Sequence, residues 1–393
     1  MLEFINQELE ELKKAGLYRS LKSINKIYGS RISIDQKEYL NFCSNNYLGL
    51  AHHPRMIEAA QKTTEIFGVG AGASRLITGN TTLHMELEKR LAAFKGREAA
   101  IVFPTGYMAN LGAITSLLDE KDAIITDRLN HASIIDACRL SKAKLQVYPH
   151  KDMQALEKIL KKSDKYNKRL IVTDAIFSMD GDIAPLPRII ELAKKYKAIT
   201  MIDEAHSTGV LGAKGKGLEE HFGIVGKTDI IMGTLSKALG GLGGFIAGSR
   251  ELIDYLRNKA RSFIYTTALP PSVCAAAITA LEIIEEQPEL REKLWHNVKH
   301  LTPLIPLSIK DGEGETRREG VRIDTPIIPI IIGDPKKTME ISHKLFEKGF
   351  FVSGIRPPTV PANECRLRIT VTSMHSKEDI NCLASLLQEL IPA

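Results

Sequence analysis

With 393 residues, 44% hydrophobic side chains and a net charge of +6 from 53 basic and 47 acidic residues, the chain has room for two or three globular domains. Its charges are dispersed and no block of one sign stands out, which argues against a nucleic-acid or membrane-binding arm and leaves at most a preference for anionic substrates. No run reaches the roughly 20 apolar residues of a membrane span. The five cysteines (Cys43, Cys138, Cys274, Cys365 and Cys382) lie far apart, with neither the spacing of a zinc site nor the even count of a disulfide framework, which predicts a reducing cytoplasm.

At the N-terminus, Leu2, Ile5, Leu9 and Leu12 share one face of an amphipathic helix, and the acidic flank is unlike a targeting peptide. From Ala99 onward, apolar strand-like runs recur near Ala99, Asp122, Lys144, Arg169, Ala198 and Thr228, with helical patterns such as "PLPRIIELAKKY" between several of them. Strands that read as almost continuous β-branched runs are covered on both faces, so this rhythm predicts βαβ units and a mainly parallel sheet. Helical patterns dominate from Pro271 to Leu304, and Lys310 to Gly320 has the composition of an exposed loop. Then follow "TPIIPIIIGD", a helix near Thr338 to Lys348, "CRLRITVT" and a last helix from Lys377 to Leu390. The expected organisation is an N-terminal helix and arm over residues 1–45, a large α/β domain over 46–285 and a smaller α+β domain over 286–393.

Ligands of open α/β sheets bind beyond the carboxyl ends of strands. Four such ends carry polar groups: Thr105, Gly106 and Tyr107 after "IVFP", Ser178 in "IVTDAIFSMDG", Asp203 and His206 in "MIDEAHSTG", and Thr234, Ser236 and Lys237 in "IIMGTLSK". Taken alone, Asp203 and His206 could be a helix-capping pair. "DEAH" also occurs in nucleotide-driven motors, which need a GxxxxGK[ST] phosphate loop that this chain lacks. "GVGAGAS" follows a helical pattern rather than a strand and is a weak dinucleotide signal.

Taken together, these groups match the demands of pyridoxal 5'-phosphate. Lys237 can bond an aldehyde, Gly240, Gly241, Gly243 and Gly244 would admit a close ring and phosphate, and Asp203 can keep a pyridinium nitrogen protonated. Gly106, Tyr107 and Thr234 can hold a phosphate, His206 and Ser178 can contact the phenolic oxygen, and His131 in "DRLNHASI" can stack on the ring.

The chain resembles the α-oxoamine synthases, pyridoxal-phosphate enzymes of fold type I. The resemblance rests on "LNFCSNNYLGLAHHP", "GAGASRLITGNTTLHMELEKRLAAF", "VTDAIFSMDGDIAPL", "IDEAHSTGVLG", "GTLSKALGGLGG", "GIRPPTVP" and "RLRITVTSMHS". It implies a decarboxylative condensation of an amino acid with an acyl thioester carried by coenzyme A or a carrier protein. "GASRLITGN" and "GIRPPTVP" are most similar to members that pair alanine with a pimeloyl thioester in biotin synthesis. Glycine with acetyl-coenzyme A and serine with palmitoyl-coenzyme A are the alternatives.

Residue by residue, the resemblance makes Lys237 the Schiff-base lysine and proton carrier, Asp203 the pyridinium partner, His131 the stacking ring, and His206 and Ser178 the phenolic-oxygen contacts. Gly106, Tyr107 and Thr234 become phosphate contacts, joined by Thr266 and Thr267 from a neighbouring subunit, which implies a homodimer with shared active sites. Arg368 and Asn45 would hold the amino acid's carboxylate, and Arg19 and Arg356 are candidates for the far carboxylate of a dicarboxylic acyl chain. Arg366 and Arg368 alternate with apolar residues on one strand, so a pair of surface arginines on an edge strand is the competing reading. Tyr107 stands where relatives often carry phenylalanine.

Overall fold

The computed structural model describes residues 2–305, 309–310, 316–317 and 324–391. The chain divides into two compact units, one comprising residues 1–47, 179–181 and 292–393, the other residues 48–178 and 182–291. Residues 1–45, expected as an N-terminal helix and arm, thus fall within the unit that holds the C-terminal part of the chain.

Backbone pairing explains that clustering. After an exposed helix, Glu3–Lys14, strands β1 (Lys26–Tyr28), β2 (Arg31–Ile34) and β3 (Lys37–Asn41) form an antiparallel meander. The link from β2 to β3 is a two-residue turn in which Asp35 and Gln36 have φ of 49° and 63°, the positive pair that suits the twist of a hairpin.

The second unit is built on strands β4 (Ala99–Phe103), β5 (Ala123–Asp127), β6 (Lys144–Tyr148), β7 (Arg169–Asp174), β8 (Ile199–Asp203), β9 (Ile230–Thr234) and β10 (Gly244–Gly248). Their order across a seven-stranded sheet is β4-β10-β9-β8-β7-β5-β6, and β10 runs antiparallel to both of its neighbours. The pairs among β5 to β9 are parallel. Every residue of β5, β9 and β10 is buried, as the unbroken apolar runs of β5 and β9 require. The glycine-rich segment before β10 packs chain on chain rather than leaving space: a Cβ on Gly244 would lie 2.5 Å from Gly106 Cα, and one on Gly240 (φ 69°) 2.3 Å from the Ala51 nitrogen. Gly244 thus lets the start of the helix Gly106–Leu117 rest on the sheet, and Gly240 lets the chain pass against Leu50 and Ala51.

In the first unit, two-residue strands β11 (Ile309–Lys310) and β12 (Thr316–Arg317) pair with each other; the rest of the expected loop from Lys310 to Gly320 lies outside the described residues. Strand β13 (Ile327–Gly333) follows, then β14 (Phe350–Phe351), which pairs in parallel with β3, then β15 (Ser353–Ile355) and β16 (Cys365–Thr370). β16 lies between β13 and β15 and is buried at all six positions. The competing reading of Arg366 and Arg368 as surface residues of an edge strand is therefore overturned. A capped helix, Lys377–Leu390, closes the chain, with Ser376 accepting from the Asp379 amide and Asp379 returning the bond.

Candidate active site

In the second unit, sheet register places two carboxylates side by side. Asp174 ends β7 and Asp203 ends β8, directly paired across the strands. Both are buried, and burial together with the Asp203 charge raises the Asp174 pKa well above the usual carboxylate range. Asp203 is held by two donors: the Ala205 amide at 2.9 Å on Oδ1 and the Asn110 side-chain amide at 2.8 Å on Oδ2. Asp174 Oδ2 accepts from the His131 amide at 2.9 Å.

His131 begins the helix Ala132–Leu140 as its N-cap, its Nδ1 facing the Ser133 amide at 3.2 Å and the Ser133 hydroxyl at 2.8 Å. Burial, countered in part by Asp203 and reinforced by the charge of Lys237, lowers its pKa. The charge of Lys237 acts on both His131 and Asp174. Lys237 itself is half-buried, three residues past the end of β9.

Thr234, the last residue of β9, donates to the Gly243 carbonyl at 2.7 Å and lies 2.7 Å from the Ser236 hydroxyl. A Cβ on Gly106 would come within 3.5 Å of Thr234 Oγ1, so the start of the helix Gly106–Leu117 sits against that hydroxyl. Thr105 caps this helix by accepting from the Met108 amide at 3.1 Å. First-turn amides have no partner inside a helix, so those of Gly106 and Tyr107 remain as donors for an anion at its positive end. The Tyr107 ring is exposed and its hydroxyl bonds Asp136, which assigns a partner to the oxygen that phenylalanine would lack.

His206 is buried in the turn after β8. Ser178 lies in a hairpin whose stem is the bridge between Ile176 and Ile183 and the bond from the Phe177 amide to the Asp182 carbonyl. Thr266 is half-buried and Thr267 exposed, in the segment after the short helix Arg261–Ile264. The structure thus links Asp203 to His131 through Asn110 and Ser133, and sets Gly106 beside Thr234.

The "DEAH" glutamate has another use. Glu204 pairs with the ammonium of Lys95 and accepts from the Leu218 amide at 2.7 Å, all in the buried interior, so its carboxylate is committed inside the fold and is not offered to a metal.

The remaining candidates belong to the first unit. Arg368 donates to Thr370 Oγ1 at 2.9 Å and Asn45 Oδ1 at 3.3 Å. The buried Tyr47 hydroxyl is 3.4 Å from the same Asn45 oxygen, and burial, opposed by Arg368, pushes its pKa up to about 12. Arg366, by contrast, is committed to Asp180 at 2.5 Å and Glu364 at 3.2 Å. Half-buried Arg356 donates to the Tyr18 carbonyl at 3.1 Å and approaches Met339 Sδ at 2.9 Å, while its buried Nε has no hydrogen-bond partner among the described residues. The bond to Tyr18 brings the backbone of exposed Arg19 beside Arg356.

Sequence reasoning passed over Asn110, Ser133, Asp174 and Tyr47. Asp174 stood in a quoted strand end, "IVTD", with the same signal as Asp203, and Tyr47 stood in "CSNNYLG". Asn110 and Ser133 lie within helices and had no such signal.

Strand ends, a helix cap and a buried acid on an α/β sheet are of the kind that suits a carbonyl-cofactor transferase, and residues 37–387 match the family model for aminotransferase class I and II. The chain belongs to that family. It is 51% identical, over 97% of its length and 94% of the relative's, to the 8-amino-7-oxononanoate synthase of Thermoanaerobacter pseudethanolicus. To 8-amino-7-oxononanoate synthase 1 of Bacillus subtilis it is 45% identical, over 96% and 95%. Among solved structures, serine palmitoyltransferase from S. paucimobilis with bound pyridoxal phosphate and myriocin superimposes with a TM-score of 0.91 at 32% identity, covering 99% of this chain and 97% of that one. The 8-amino-7-oxononanoate synthase of Francisella tularensis gives 0.75 at 30% identity, covering 89% and 97%. The chain has the fold type I architecture of these pyridoxal-phosphate enzymes, with the large, mainly parallel sheet in one unit and the smaller C-terminal unit beside it in sequence.

Proposed function

We propose that this chain condenses L-alanine with a pimeloyl thioester, releasing carbon dioxide and the free thiol and yielding 8-amino-7-oxononanoate for biotin synthesis. It is a pyridoxal-phosphate-dependent C-acyltransferase. The residues present suit the cofactor: a buried carboxylate at a strand end, an amine in its electrical reach, and open first-turn amides beside a hydroxyl. When bound, pyridoxal phosphate supplies an aldehyde for an amine and a ring that draws electrons from the substrate's α-carbon.

The chain's own groups do the rest. Asp203 would keep a proton on the ring nitrogen, and Asn110 holds Asp203 still. Lys237 Nζ takes the α-proton of alanine and later returns one to the same carbon after carbon dioxide leaves. Arg368, with Asn45, grips the amino acid's carboxylate; a planar guanidinium fixes both the position and the plane of that group, and so which bond stands ready to break. His131 would cover the ring face, and His206 and Ser178 would donate to the phenolic oxygen. Gly106, Tyr107 and Thr234 would hold the phosphate, with Thr266 and Thr267 of a second copy completing it in a homodimer. Free thiols at all five cysteines suit a cytoplasmic enzyme.

The observation that carries the acyl choice is Arg356: a half-buried guanidinium with no carboxylate partner among the described residues, beside Arg19. A pimeloyl chain ends in the anion this group lacks; acetyl and palmitoyl chains do not. Product mass from purified enzyme given alanine, glycine or serine with pimeloyl, acetyl or palmitoyl thioester tests the proposal. Alanine with pimeloyl should turn over fastest, and Arg356→Leu should cut pimeloyl use about tenfold while sparing acetyl. Faster turnover of glycine with acetyl, or of serine with palmitoyl, contradicts it.

A further inference from the structure

Asn110 is fully buried in the helix Gly106–Leu117, and both hydrogens of its side-chain amide are spoken for: one goes to Asp203 Oδ2 at 2.8 Å, the other to Ser133 Oγ at 2.9 Å. Its own oxygen, Oδ1, is buried with no hydrogen-bond partner among the described residues. Burying an amide oxygen unpaired is unfavourable, and a leucine here would avoid it. What the asparagine provides is the two donors.

The chemistry of each partner then fixes the next. An ionised carboxylate only accepts, so the amide must present its NH₂ toward Asp203. The Ser133 hydroxyl accepts from Asn110, which leaves its single hydrogen for His131 Nδ1, 2.8 Å away. The Ser133 backbone N–H also faces Nδ1, at 3.2 Å. A ring nitrogen that accepts from two donors carries no proton. In a neutral imidazole the proton is then on Nε2.

We propose that Asn110 and Ser133 are positioning residues: the hydrogen-bonded chain Asp203–Asn110–Ser133–His131 ties the pyridinium partner to the stacking ring and holds His131 as its Nε2–H tautomer. Both ends of the chain serve the same cofactor, so the carboxylate cannot swing without loosening the hydroxyl that sets the ring. The same two donors oppose an imidazolium, because its Nδ1–H would face them, and this agrees with the direction in which burial and Lys237 move His131. The backbone of His131 is pinned from the other side by Asp174 Oδ2. This inference rests on the pyridoxal-phosphate site and is independent of the acyl substrate.

The test is long-range ¹H–¹⁵N NMR of the full chain labelled at histidine, with and without cofactor, the His131 signals being assigned by their loss in His131→Gln. Near neutral pH the wild-type ring should show a protonated Nε2 and a bare Nδ1 in both forms. Ser133→Ala and Asn110→Leu should each mix the tautomers and lower kcat about tenfold, with KM for the amino acid within about twofold. A wild-type ring protonated on Nδ1, or on both nitrogens, overturns the proposal, and that spectrum decides even where Asn110→Leu fails to fold. So does a folded Ser133→Ala enzyme with unchanged ring signals or unchanged kcat. Failure of the enzyme with pimeloyl thioester would leave the ring measurement intact, so the two readings fail separately.

Discussion

The ammonium of Lys95 and the carboxylate of Glu204 meet in the interior of the larger unit, each side chain only 1% exposed. Lys95 also donates to Thr208 Oγ1 at 2.8 Å and the Lys216 carbonyl at 2.6 Å, so every hydrogen of the buried cation is used. Burial lowers the pKa of this lysine and the adjacent carboxylate opposes that fall. Glu204 directly follows Asp203, so the pair braces the turn that presents Asp203 and His206.

Removing one partner strands the other charge in low dielectric, which costs about 3–5 kcal/mol. Lys95→Met should therefore lower Tm by on the order of 10 °C. Adding Glu204→Gln to it should recover a large part of the loss. Calorimetry of the three proteins checks this, and equal loss in single and double variants would show that the charge is not what matters.

His150 bridges two carboxylates, with Nδ1 3.0 Å from Asp127 and Nε2 2.8 Å from Asp182. Burial disfavours the charged ring, yet the hydrogen bonds to Asp127 and Asp182 outweigh it and raise the pKa from 6.5 to about 9. A raised folded-state pKa stabilises fully below the unfolded value and is lost as pH climbs through the folded one. The clamp, worth on the order of 3 kcal/mol, should thus be complete below pH 6.5 and gone above about pH 9. Denaturant midpoints measured from pH 6 to 10 should fall in that window, and the fall should be absent from His150→Gln. Asp182 closes the stem of the Ser178 hairpin, so loosening should reach that residue first.

Arg368 offers a guanidinium fork where a lysine would offer a point charge. Arg368→Lys keeps the charge and should raise KM for alanine about 100-fold while leaving KM for the thioester nearly unchanged. Initial rates with one substrate varied at a time separate the two constants. A rise in both would assign Arg368 to the structure of β16 alone.

The strands β5, β7, β8 and β9 were legible because strands buried on both faces are written as nearly unbroken apolar runs such as "DAIIT" and "RLIVTD". β10 was not: "GGFIAGS" has the glycines of a loop, and they are there for close chain packing rather than for a turn. Among the first strands, β2 alternates polar with apolar residues but β3, "KEYLN", does not, and the Asp35–Gln36 turn between them lacks the glycine that usually marks such hairpins. The arginine on β16 was recognisable by type, but its burial depends on β13 and β15, which come from distant sequence. For the same reason Asp203 could be named from a strand end, whereas Asn110, which holds it, could not be: a helix interior gives no local sign of what lies across from it.

Lys237 is the residue on which the account turns, and a covalent label tests it most directly. Borohydride reduction of the freshly purified, cofactor-loaded enzyme, followed by peptide mass mapping, should place the reduced pyridoxal phosphate on the peptide carrying Lys237, and Lys237→Ala should show no labelled peptide. A label on another lysine, or none on a coloured and active enzyme, would contradict it.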